Sequence, residues 1–117
     1  MIYDISVFDF TGEKNLGAAY NRHMQLINDD DHICFRDGDT CWLTPDYGVH
    51  LAEYVRLHPN AILTCWTNRI NERAEQQWPY DRDNPDMRFH LNCAILAQNK
   101  LYNVTPLHGF VSGFCMV

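Results

Sequence analysis

The chain predicts an α/β fold, a mostly parallel sheet with helices on its faces, on two observations. Short apolar runs of strand length alternate with longer stretches whose apolar residues recur at helical spacing. The links between the first three strand-like runs are themselves helical, which parallel crossovers require and hairpins do not. A length of 117 residues, 46% of them hydrophobic, is expected to build one domain around one core.

Ile2 to Phe8 reads as the first strand, with Ile5, Val7 and Phe8 apolar, and Asp9 to Asn15 as a loop around Gly12. A helix is expected from about Leu16 to Asn28, capped by Asn15, with Leu16, Ala19, Tyr20, Met24 and Ile27 on one face. The acidic run Asn28-Asp29-Asp30-Asp31 reads as a solvated turn, and His32 to Arg36 as a second strand ending in Asp37-Gly38-Asp39. Thr44-Pro45-Asp46 reads as a helix start with Thr44 as cap. That helix should run to Leu57 on a stripe of Tyr47, Leu51, Tyr54 and Val55. His58 should stop it, where a cation suits the negative end of the helix dipole. Ala61 to Thr67 reads as a third strand with Trp66 in the core. The polar stretch from Asn71 to Asp86 reads as a surface excursion. A last helix is expected from Met87 to about Gln98, with Met87, Leu91, Ala94 and Ile95 inward, before a strand-like C-terminal segment. Ending in that apolar strand, the chain is expected to be incomplete at its C-terminus.

A net charge of −6 argues against a nonspecific nucleic-acid binder, which needs cations to neutralise phosphates. It leaves room for a phosphate-bearing small ligand, because a metal ion can bring the positive charge. Five cysteines, with no Cys-x-x-Cys pair and several in apolar runs, read as small buried hydrophobes in a reduced, cytoplasmic setting. No signal peptide is read at the N-terminus, and no apolar run approaches membrane-spanning length.

The chemistry concentrates in Asp37-Gly38-Asp39. Asp-Gly favours hairpin turns, but the next capped helix starts too soon for a returning strand, so a strand-to-helix turn is expected. In an open parallel sheet the carboxyl end of a strand is where ligands bind. A phosphatase of the haloacid dehalogenase type would need a Thr where Cys41 stands, and its aspartates on the first strand. A divalent cation site for a diphosphate needs only one or two carboxylates, the phosphates supplying other ligands. Gly38 would let the backbone pass close to such a ligand.

The flanking residues sharpen this. Asn15, Leu16, Gly17, Ala18, Asn21 and Arg22, then Asp37 and Asp39, then Trp42 and Leu43, together resemble the glycosyltransferases of the GT-A fold, especially the large family-two group. The resemblance spans roughly residues 13 to 69, and Ser112-Gly113-Phe114 resembles a segment that lies near the sugar in that fold. It implies a Rossmann-like, GT-A-like domain over residues 1–117. That domain would bind a UDP- or GDP-linked nucleotide-diphosphate sugar with Mn²⁺ or Mg²⁺ and transfer the sugar to an unspecified acceptor. Asp39, and with it Asp37, would hold the metal, Asp37 also facing the ribose or sugar. Phe10, Thr11 and Gly12 would flank the nucleotide, Asn15 or Arg22 would hold that loop or meet a phosphate, and Ser112 and Gly113 would lie by the sugar. His108 stands where a late histidine completes the metal site in some of these enzymes, against the alternative of a structural histidine. Asn68 and Arg69, at the end of the expected third strand, suit phosphate or acceptor contacts, or a salt bridge to the acidic loop. Trp42 suits stacking on a base or packing in the core. The chain departs from the family pattern in having one strand before the Asn-Leu-Gly helix and in carrying Arg36 where an apolar residue is usual. A module that binds nucleotide or metal without turnover is the alternative. Asp81 to Asp86 lacks the glycine and final glutamate of an EF-hand and reads as a solvated loop.

Overall fold

Two parallel strands and the helix between them carry the architecture. The computed structural model describes residues 1–7, 14–67, 80–81, 83–108 and 115–117. Its elements are β1 (Ile2–Val7), α1 (Leu16–Met24), β2 (His32–Asp37), α2 (Tyr47–Leu57), α3 (Met87–Ala97), a 3₁₀ turn (Gln98–Lys100) and β3 (Cys115–Met116). The chain divides into two compact units, Met1–Thr40 with Gly113–Val117, and Cys41–Ser112.

In the first unit the sheet order is β1-β2-β3. β1 and β2 run parallel in the register Ile2↔His32 to Val7↔Asp37, as the helical connection requires. β3 runs antiparallel to β2, with Phe35↔Met116 and Arg36↔Cys115, so the sheet is mixed. The α/β class holds, while the expected mostly parallel sheet does not extend beyond the β1–β2 pair among the described residues. Pleating sends alternate residues to opposite faces. One face carries Tyr3, Ile5, Val7, Ile33, Phe35 and Asp37, and α1 covers it: Tyr20 stacks on Phe35 with ring centroids 4.2 Å apart. The other face carries Asp4, Cys34, Arg36 and Cys115. Val7, Cys34, Phe35 and Cys115 are buried.

Asn15 caps α1 as expected, its side-chain oxygen accepting from the Ala18 N–H at 3.0 Å. The helix ends at Met24 rather than near Asn28, and Leu26 beyond it is exposed. Of the expected apolar stripe, Leu16 and Met24 are exposed, and α1 buries no residue completely.

In the second unit α2 begins at Tyr47, with Asp46 rather than Thr44 in the cap position. Asp46 sits in the left-handed region, φ 54°, and its carbonyl accepts from Val49 and His50. Val55 is the residue α2 buries, and His58 ends the helix as expected. The third strand expected at Ala61–Thr67 does not form; only Thr67 makes an isolated bridge. A strand needs neighbours on its edges and cover on a face, and Ile62 is 75% exposed. Trp66 is exposed rather than core, with the Lys100 ammonium 5.5 Å from its ring centroid. Helix α3 is capped by Asp86, which accepts from the Arg88 N–H at 2.9 Å. It buries His90, Cys93 and Ala94, while the expected inward residues Met87, Leu91 and Ile95 are exposed. The residues 90, 93, 94 and 97 keep helical spacing. The face is rotated because His90 turns inward, its Nε2 2.8 Å from the Asn84 carbonyl.

Candidate functional site

The candidate site is the turn that leaves β2. Asp37 is the last residue of the strand, and the Thr40 N–H donates to its carbonyl at 3.1 Å, closing a four-residue turn over Gly38 and Asp39. The Thr40 hydroxyl donates to the same carbonyl at 2.7 Å. The aspartates therefore end a parallel strand on a closed turn and do not form a hairpin with a returning strand. Because β1 and β2 are parallel, Val7 lies beside Asp37, and both strands present their carboxyl ends at this edge.

Asp37 is half-buried on the face that α1 covers, and Asp39 is exposed. Burial first, and then the charge of Asp39, push the Asp37 carboxyl above its ordinary value. Tyr20, stacked beneath on Phe35, has its phenol pushed up by burial and by the charge of Asp37. Two carboxylates and a tyrosine hydroxyl thus share one electrostatic neighbourhood.

Arg36 does not supply a counter-cation on this face. The pleat sends it to the opposite side, where its Nε donates to an Asp4 carboxylate oxygen at 2.8 Å. Its Nη1 donates to the Thr40 carbonyl at 2.7 Å. Arg36 and Asp4 keep only 16% and 21% of their side-chain surface exposed. Arg36 acts on the aspartate turn through its backbone: it clamps the last residue of the turn to the sheet. Sequence reasoning noted Arg36 only as a departure from the family pattern and Tyr20 only on the apolar stripe of α1, and missed where each stands relative to the turn. The clamp depends on the register that puts Asp4 beside Cys34, two residues before Arg36 on the same face, and that register is seen only in the structure.

The other expected site residues fall in several places. The Asn15 side-chain oxygen is engaged as the α1 cap. Arg22 is exposed in the last turn of α1, where a cation complements the helix dipole. His108 is exposed in the second unit, beyond the 3₁₀ turn. Trp42, also in that unit, stacks on Tyr47 with ring centroids 5.0 Å apart. Phe10, Thr11, Gly12, Asn68, Arg69, Ser112 and Gly113 lie outside the described residues.

The donor chemistry of the turn suits a hard divalent cation. Both side chains offer carboxylate oxygens, and their repulsion is what such an ion would relieve. No group of three or more His, Cys, Asp or Glu placed to hold a metal occurs among the described residues. No helix among the described residues is long and apolar enough to cross a membrane. Comparison with known proteins gives no match, whether to a family model, a curated protein or a solved structure.

Proposed function

We propose that the Asp37–Thr40 turn is the cation and diphosphate site of a nucleotide-sugar transferase domain related to the GT-A fold. The observation that carries this reading is the carboxylate pair itself, closed on one turn at the carboxyl end of a parallel strand. Asp39, exposed, would be the primary ligand for Mn²⁺ or Mg²⁺, and Asp37 would face the donor's ribose or sugar or share the ion. A bound ion supplies Lewis-acid stabilisation of the departing nucleoside diphosphate. The chain's own part is positioning. Arg36 and Asp4 hold the turn to the sheet, and Tyr20 walls the inner side of Asp37. The Asn-Leu-Gly start of α1 and the Trp42-Leu43 segment support the reading by resemblance.

The test is thermal stability in UDP or GDP, with and without Mn²⁺, for the native chain and for Asp39→Ala. A nucleotide effect that needs Mn²⁺ and disappears in the variant supports the site. The absence of any shift under every condition would overturn it. Release of free UDP from UDP-sugars then separates a transferase from a module that binds without turnover.

A further inference from the structure

Cys34 and Cys115 lie 81 positions apart in sequence, and their sulfurs are 3.9 Å apart in the sheet. Register explains the meeting. Cys115 pairs with Arg36, and Cys34 is two residues back on the same face of β2, so the thiols are diagonal neighbours across antiparallel strands. Cys34 is 0% exposed and Cys115 3%, and neither is disulfide-bonded. A disulfide needs the sulfurs to close to about 2.05 Å, and from a diagonal pairing that takes a shift of the strand backbone as well as side-chain rotation.

We propose that Cys34 and Cys115 form a redox-modifiable dithiol, whose oxidation by a small-molecule disulfide of the glutathione class staples β3 to β2. The hydrogen bond to Cys115, and then burial, push the Cys34 thiol far up, and either sulfur can be the donor in that contact. One of the two thiols, exposed and deprotonated as the strand opens, attacks one sulfur of the small disulfide, forming a mixed disulfide and releasing one small thiol. The other thiol then gives up its proton and attacks the protein sulfur of that mixed disulfide, releasing the second. The two protein thiols lose two electrons and two protons, and the small disulfide takes them up as two thiols. Access comes from fraying of β3, which has only two residues and lies at the edge of the described sheet.

The full chain is equilibrated with graded mixtures of oxidised and reduced glutathione, quenched in acid, alkylated and digested without reduction. The expected product is one linked peptide pair joining Cys34 to Cys115, lost in Cys115→Ala and in Cys34→Ala and kept in Cys41→Ser. The oxidised native chain should also melt several degrees higher, because the bridge closes a long loop. If Cys34 and Cys115 are both still alkylated under conditions that modify the exposed Cys41, the proposal fails. Mixed disulfides at either position without the linked pair overturn it equally. Because the native chain alone yields the decisive peptide map, a variant that does not fold leaves the test intact.

Discussion

Arg36 and Asp37 are neighbours in sequence and stand on opposite faces of the sheet. Arg36 bonds to Asp4 and to the Thr40 carbonyl, while Asp37 faces Tyr20 beneath α1. The cation nearest in sequence to the aspartate pair therefore braces the turn from behind and does not neutralise it.

Replacing Arg36 tests that brace. Arg36→Ala leaves the half-buried Asp4 without this partner and the Thr40 carbonyl without this donor. It should cost about 1–3 kcal/mol of unfolding free energy in urea. Arg36→Lys should recover part of that loss, since an ammonium cannot reproduce two diverging guanidinium bonds. A loss near zero would show that the clamp carries no stability.

The carboxylate pair makes a prediction that changes sign with metal. Asp37 is held above its ordinary value of 3.8, so the folded chain binds that proton more tightly than the unfolded one. The resulting stabilisation is full below 3.8 and is lost as pH rises through the raised value. At neutral pH the ionised pair therefore opposes folding. Without metal, Asp39→Asn should raise stability at neutral pH by about 0.5 kcal/mol or less, because Asp37 is largely solvent-screened. In excess Mn²⁺ the order should reverse, the native chain gaining and the variant not. Melting curves at neutral and acidic pH, with and without Mn²⁺, check both halves.

Tyr20 reports on Asp37 directly. Burial and the charge of Asp37 raise its phenol, so Asp37→Asn should lower the Tyr20 transition in an ultraviolet titration without returning it wholly to 10.0. Tyr20→Phe should keep the stack on Phe35 and cost about 1 kcal/mol or less. Phe35→Ala empties a buried site under the helix and should cost about 3–5 kcal/mol.

The two helix starts should respond in opposite directions. Asn15→Ala removes the side-chain cap of α1 and should cost about 1 kcal/mol. Asp46 makes no side-chain cap bond and holds a positive φ, so Asp46→Gly should gain about 0.5 kcal/mol by relieving backbone strain. Equal losses at the two positions, in chemical denaturation, would contradict this reading of α2.

Much of this was legible in residues close together in the chain. Ile2–Val7 and His32–Asp37 read as strands from their apolar runs, Asn15 as a cap from its place before Leu16, and Asp37 and Asp39 as the end of a strand. Such features rest on propensities and hydrogen bonds that span a few residues. What the tertiary structure decided is which partner and which face each residue takes. It left Ala61–Thr67 without a ladder, turned His90 inward in place of Leu91, and laid β3 antiparallel to bring Cys115 to Cys34. It also brought Asp4 of the neighbouring strand within reach of Arg36. A local apolar pattern says which residues can be buried, but the partner strand and the final register are settled by contacts between residues far apart in sequence.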